Sequence, residues 1–220
     1  MKKTGCLLIH GFAGSRKELE PLRRCLEQQG YVVSVPVLKG HEGTKREFGK
    51  SRRREWIASA KESLDELQKF CEKVVVVGFS MGGLVAANLC GSAPVDGVVF
   101  LNTPVYYWDI GWVLKSHRFD LKTYFGEYIF SGRNLPLHAL LEFRLLLDAT
   151  KRLFSRIACT VLVLQSMDDD VVVPESAQYI YSHVKGPKKI KRLPSGGHAV
   201  LQGKNAGTVC GDVLRFMEGI

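Results

Sequence analysis

The sequence contains no Cys-x-x-Cys pair and no cysteine–histidine spacing that suits a metal ion. It has no internal repeat and no low-complexity linker. It also has no apolar run approaching the roughly 20 residues that a membrane-spanning helix needs. A metal-stapled fold, a repeat array and stable membrane insertion are thereby set aside. The six cysteines (Cys6, Cys25, Cys71, Cys90, Cys159, Cys210) are scattered, and Cys6, Cys90 and Cys159 fall in apolar runs. Reduced cysteine packs there as a small hydrophobe, so a reducing compartment, the cytoplasm, is expected. The opening M-K-K-T-G-C-L-L-I-H-G-F imitates a signal peptide only briefly. Its apolar run, Cys6 to Ile9, is too short for that purpose, and no cleavage site follows. Those residues are better used as a strand.

What is present is ordinary for a single globular domain: 220 residues, 45% apolar and 24% charged, enough to enclose a sizeable core. The net charge of +9 is spread out, with clusters at Lys50–Arg54 and Lys185–Arg192. Neither cluster is interleaved with aromatics, so both read as solvated faces and no nucleic-acid partner is expected.

The stretch that organises the chain is Val74 to Gly83, V-V-V-V-G-F-S-M-G-G. Four β-branched residues in succession suit a strand buried on both faces of a parallel sheet. The run stops at a glycine-bounded turn, and L-V-A-A-N-L-C then reads as a buried helix. Ser80 therefore stands on a sharp strand-to-helix turn within G-x-S-x-G. A side chain at Gly78 or Gly82 would collide with a neighbouring strand or helix. Such a turn presents the serine Oγ at the carboxyl edge of the sheet and aims the Met81 backbone N–H at a developing oxyanion. A glycine-rich turn with an idle serine is the plainer alternative.

Taken in order, Cys6 to Ile9 predicts a strand and His10–Gly14 a loop. Ser15 to Gln29 predicts an amphipathic helix stopped by Gly30, and Tyr31 to Val37 a second strand. Leu38 to Arg53 reads as a polar loop, Glu55 to Cys71 as a helix, Val74 to Phe79 as the third strand and Gly97 to Leu101 as the fourth. The alternation breaks after Thr103-Pro104. Residues 105–154 show no strand pattern and are rich in aromatics, which predicts a helical insertion. Thr160–Leu164 resumes as a strand, Pro174–Val184 as a helix, Lys188–Leu193 as a strand and Lys204–Met217 as a closing helix. Six strands alternating with helices predict an α/β fold: a mostly parallel sheet formed by 1–104 and 155–220, interrupted by a cap at 105–154.

A serine nucleophile needs a base, and the base needs an orienting acceptor. In open α/β sheets such groups lie on loops after the strands' carboxyl ends. After Ser80, one such loop carries Asp168, Asp169 and Asp170, and the next carries Pro194-Ser195-Gly196-Gly197-His198. Three adjacent acids could also be a solvated turn or a cation site, but no further carboxylates or histidines stand nearby in sequence, so no metal is expected.

With these pieces in place the chain resembles an α/β-hydrolase, and more narrowly the small bacterial carboxylesterase and monoacylglycerol lipase family. The matching segments are L-L-I-H-G-F-A-G at 7–14, L-K-G-H-E-G-T at 38–44, G-F-S-M-G-G at 78–83, L-V-L-Q-S-M-D-D at 162–169, P-E-S-A at 174–177 and S-G-G-H at 195–198. The resemblance implies Ser80 as nucleophile and His198 as general base. It implies an oxyanion hole from the backbone N–H groups of Phe12 and Met81, and Asp169 as the triad acid with Asp170 as runner-up. It implies hydrolysis of a small-molecule acyl ester without a cofactor. A thioesterase would use the same groups, and a non-catalytic binder on this fold is the rival from another class; an aspartate-nucleophile dehalogenase is opposed by Ser80.

The departures are a short segment before the first strand, hence a sheet near the minimal size, Ser166 in place of the usual glycine of the acid loop, and the extra Gly197. His10 and His41 read as structural hydrogen-bonders. Phe12, Met81, Tyr107, Trp108 and Phe125 are the candidates for contact with substrate.

Overall fold

The runs Cys6–Ile9, Val74–Val77, Val98–Leu101 and Val161–Leu164 are apolar at every position, and the pleat sends alternate residues to opposite faces. In the computed structural model, which describes residues 4–106 and 135–220, this produces two separate apolar layers. Leu7, Ile9, Val74, Val76, Val98, Phe100, Val161 and Val163 line one face of a sheet. Cys6, Leu8, Val75, Val77, Val99, Leu101, Leu162 and Leu164 line the other. Each such side chain removed from water contributes about 1.5–3 kcal/mol, so the two faces dominate the stabilising terms.

The strands are β1 (Thr4–Ile9), β2 (Val32–Ser34), β3 (Lys73–Phe79), β4 (Gly97–Leu101), β5 (Thr160–Ser166) and β6 (Lys188–Leu193). They form one sheet in the order β2-β1-β3-β4-β5-β6, with every neighbouring pair parallel. Among the described residues seven α-helices accompany them: α1 (Glu20–Gln28), α2 (Lys45–Lys50), α3 (Arg53–Phe70), α4 (Met81–Cys90), α5 (Leu137–Lys151), α6 (Glu175–His183) and α7 (Ala206–Glu218). Leu22 and Leu26 of α1 and Val209, Val213 and Met217 of α7 cover one face. Trp56, Ala60, Leu64 and Leu67 of α3, with α4 and residues of α5 and α6, cover the other. The predicted α/β sheet of six strands is the one observed.

Three boundaries differ from expectation, each for a local reason. The predicted helix over Ser15–Gln29 is a 3-10 turn (Arg16–Leu19) followed by α1. Pro21 has no N–H to offer the carbonyl four residues back, so a continuous α-helix cannot run through it. The second strand pairs only over Val32–Ser34, because it is an edge strand and Pro36 brings no donor. The loop at 38–53 contains α2. Thr44 Oγ accepts the Glu47 N–H at 3.2 Å while the Glu47 carboxylate accepts the Thr44 N–H at 2.7 Å, a reciprocal N-terminal cap.

The sheet order reverses between β1 and β3. The loop after β1 and the turn after β3 therefore lie side by side at the carboxyl edge, at the topological switch point where such sheets hold ligands. Of the expected insertion at 105–154, Val105, Tyr106 and the segment from Leu135 onward are described. Helix α5 packs against α2, α3 and α4. The candidates Tyr107, Trp108 and Phe125 lie outside the described residues.

Candidate active site

Ser80 is the one residue between β3 and α4, with φ +52° and ψ −123°. A non-glycine residue there carries strain on the order of 1–3 kcal/mol, which surrounding structure must hold. Here the Ser80 N–H donates to the Leu101 carbonyl at 2.8 Å, and the Ser80 carbonyl accepts the Gly83 N–H at 2.9 Å. The approach of α4 to β1 is closer than any side chain permits: a Cβ on Gly82 would overlap the carbonyl oxygens of Ile9 and His10, and one on Gly78 would overlap the backbone of Gly82 and Gly83.

The loops after β5 and β6 converge on this turn. Ser80 Oγ lies 3.0 Å from His198 Nε2, and His198 Nδ1 lies 3.1 and 3.0 Å from the two Asp169 carboxylate oxygens. A neutral imidazole protonated on Nδ1 satisfies both contacts: Nδ1–H donates to Asp169, and Nε2 accepts from the serine hydroxyl. Asp169 is itself fixed, since Oδ1 accepts the N–H groups of Val171 (2.8 Å) and Val172 (2.9 Å) and Oδ2 accepts from Gln165 Nε2 at 3.3 Å. Ser80, Asp169 and His198 are all buried, and the Phe79 ring packs 5.1 Å from the imidazole.

The other two acids of the loop are placed differently. Asp170 is exposed. Asp168 turns its carboxylate to the histidine loop, accepting the N–H groups of Gly197 (2.8 Å) and Gly196 (3.2 Å) and the Ser166 hydroxyl (2.7 Å). Gly196 and Gly197 adopt φ of +140° and +61°, which lets successive N–H groups point at one acceptor. Burial pushes the Asp168 carboxyl up, but these donated hydrogen bonds outweigh it and hold the group below the usual carboxylate range.

Asn102 escaped the sequence reading. It follows β4 with φ +43°, fully buried. Its Nδ2 donates to the carbonyls of Gly197 (3.1 Å) and His198 (2.9 Å), and its Oδ1 accepts the Ser166 N–H at 2.9 Å. One amide thus ties the ends of β4 and β5 to the histidine loop. An asparagine directly after an apolar strand was the available signal, since Asn tolerates left-handed backbone.

The loop after β1 lies against the serine; a Cβ on Gly11 would stand 3.4 Å from Ser80 Cβ. His10 Nδ1–H donates to the Gly11 carbonyl at 2.9 Å while Nε2 accepts the Leu38 N–H at 3.3 Å. With both ring nitrogens engaged, His10 is a structural hydrogen-bonder. Fixing the Gly11 carbonyl also fixes the opposite direction of the Phe12 N–H across the same trans peptide. His41 packs 4.9 Å from His10, and its Nδ1 reaches the Lys39 carbonyl at 3.4 Å. Burial, reinforced by His10, lowers the His41 pKa to about 4.

Phe12 is half-buried and touches Phe48, Trp56 and Phe143. Met81 is the other described candidate for contact with substrate. Its side chain is fully buried in the apolar core, where the first turn of α4 is pressed onto the sheet. Among the described residues no group of three or more His, Cys, Asp or Glu is placed to hold a metal ion, and no helix is long and apolar enough to cross a membrane.

A strained serine with a paired imidazole and carboxylate is equipped for nucleophilic attack with proton transfer. Comparison with known proteins points the same way. The profile of the alpha/beta hydrolase family matches residues 6–209. The chain is 30% identical to a thermostable monoacylglycerol lipase of Bacillus sp. (strain H-257), covering 89% of this chain and 82% of the relative. It is 24% identical to a carboxylesterase of Bacillus subtilis (strain 168), covering 96% and 91%. Among solved structures, a metagenome-derived lipolytic enzyme described with LipS and LipT superposes with a TM-score of 0.86 at 21% identity, covering 100% of this chain and 95% of that one. Est1E from Butyrivibrio proteoclasticus, solved with ferulic acid, superposes with a TM-score of 0.76 at 18% identity, covering 99% and 89%. These two likenesses speak for the fold.

Proposed function

This chain belongs to the alpha/beta hydrolase family, and from that premise we propose that it is a serine hydrolase of carboxylic esters, akin to the carboxylesterase and monoacylglycerol lipase relatives. The observation that carries the reading is the Ser80–His198–Asp169 chain of contacts, 3.0 Å at each link.

In this reading His198 Nε2 takes the Ser80 proton as Oγ attacks the acyl carbon. The backbone N–H groups of Phe12 and Met81 receive the tetrahedral oxyanion. Asp169 holds the imidazole tautomer and stabilises the imidazolium. His198 then gives the proton to the departing alcohol. A water deprotonated by the same nitrogen attacks the acyl-enzyme, the Ser80 Oγ–acyl bond breaks, and the acid is released. All six cysteines lie within apolar clusters or pack against them, and all six are unbridged, which supports a reducing, cytoplasmic setting. Residues 105–154 serve as the cap over the site, with Tyr107, Trp108 and Phe125 as the candidate contacts to the acyl or alcohol portion. A non-catalytic binder would have no need to keep all three members in register.

A fluorophosphonate probe should label the protein once, at Ser80, and Ser80→Ala should abolish labelling and lower kcat by about 10³-fold or more while folding normally. Rates on p-nitrophenyl esters, monoacylglycerols and acyl-CoA thioesters identify the leaving group. Labelling that persists in Ser80→Ala would overturn the assignment, and a clear preference for thioesters would move the substrate class.

A further inference from the structure

The loop proposed to supply the oxyanion donor, His10 to Gly14, is wrapped around a carboxylate that the mechanism does not use. Glu18, in the 3-10 turn before α1, accepts the Gly11 N–H on Oε2 at 3.0 Å. Its carboxylate lies flush against Gly14, where any Cβ would overlap both oxygens. The loop closes around it with the Gly14 N–H donating to the Gly11 carbonyl at 3.3 Å. Gly11 is thus held on both sides: its N–H by Glu18, its carbonyl by His10 and Gly14. The direction of the Phe12 N–H follows from that pair of constraints.

Glu18 is also held from the opposite side of the site. Gln202, four residues beyond His198, donates from Nε2 to the carbonyls of Glu18 (2.9 Å) and Lys17 (3.2 Å). Gln202 belongs to the turn that closes the histidine loop, its N–H donating to the Ala199 carbonyl at 2.8 Å. The 3-10 turn carrying Glu18 is therefore a physical link between the loop of the oxyanion donor and the loop of the base. These segments lie nearly 190 residues apart in the chain.

We propose that Glu18 is a positioning residue. It orients the Phe12 N–H toward the oxyanion and keeps that loop in register with His198. The inference rests on the serine-hydrolase reading above. A negative charge beside a developing oxyanion would oppose it, so the useful property of Glu18 is its acceptor oxygen and its shape, not its charge. That distinction yields a test. Glu18→Gln keeps an acceptor oxygen and the volume. Glu18→Met keeps the volume against Gly14 but has no acceptor comparable with oxygen. Glu18→Ala loses both.

Removing an oxyanion donor outright costs about 10²–10³ in kcat, so a donor left in place but misdirected should cost on the order of tenfold to a hundredfold. The expected result is that Glu18→Met and Glu18→Ala lose about that much in kcat and in the rate of Ser80 phosphonylation, with KM little changed. Glu18→Gln should recover to within about threefold of the wild type. Thermal melts serve as the control. If Met and Ala variants melt lower but label at the wild-type rate, Glu18 only supports the fold and the inference is overturned. If Glu18→Gln is as impaired as Glu18→Ala, the charge matters and the inference is likewise wrong. A wild-type protein inert to the probe would remove the serine-hydrolase reading itself, and this one with it. A reactive wild type with equally reactive Glu18 variants removes only the inference.

Discussion

The ring of Phe143, on α5, lies over the ring of Phe12, with centroids 4.9 Å apart and 29° between the planes. The first residue belongs to the helix that leads the chain back toward β5, the second to the loop beside Ser80. The preceding residue of α5 fastens the contact: Glu142 accepts from Arg53 Nη1 at 2.7 Å and from the Arg53 backbone N–H at 3.1 Å. Helix α5 and the loop of the proposed oxyanion donor are therefore packed together. Phe143→Ala should change the preferred acyl-chain length on a p-nitrophenyl ester series while Ser80 still reacts with a fluorophosphonate. An unchanged profile with a lowered melting temperature, by about 1–3 kcal/mol of stability for the lost aromatic packing, would make the stack scaffolding only.

The three acids after β5 should separate by role. Asp169→Asn leaves the imidazole with the wrong partner and should lower kcat by up to about 10⁴-fold. Asp168→Asn keeps one acceptor oxygen for Gly196, Gly197 and Ser166 and should lose about tenfold or less, through a looser histidine loop. Asp170→Asn should resemble the wild type. Steady-state kinetics on one ester decide the order, and an inactive Asp170→Asn would contradict the geometry.

Acid should weaken the fold before it protonates most carboxylates. The buried His41 has a pKa lowered from 6.5 to about 4, and burial lowers that of His10 as well. The unfolded chain takes up these protons near pH 6.5, whereas the folded chain resists them. Stability is therefore complete above pH 6.5 and declines as the pH falls toward 4, by about 3 kcal/mol for His41 alone at ~1.4 kcal/mol per pH unit. Glu142 acts in the same sense at lower pH. Burial raises its pKa, but its hydrogen bonds to Arg53 outweigh this and hold it below 4.5, so its contribution is lost as the pH drops through the folded value. Denaturant melts from pH 7.5 to 4 should show the decline, and His41→Phe should flatten it between 6.5 and 4. An unaltered slope in that variant would assign the acid sensitivity elsewhere.

The sequence by itself determined the elements and their order, because those depend on neighbours a few residues away. Four β-branched residues before a glycine turn admit only a buried strand, and alternating strands and helices admit a parallel sheet. Loops after parallel strands must gather at one edge, so the order of elements alone brings Ser80, an aspartate and His198 to the same place. Even α2, overlooked in the loop at 38–53, was written locally in Thr44-x-x-Glu47. Which aspartate faces the histidine was a different kind of question, as was the bracing by Asn102, the cradling of Glu18 and the meeting of Phe143 with Phe12. Each depends on the direction of a side chain leaving a loop, and that direction changes sides with a single residue's φ and ψ. Each also depends on a partner tens to nearly two hundred residues away, whose position exists only once the sheet has closed and the loops have packed. Local periodicity carries no information about such pairs; the packed edge of the sheet decides them.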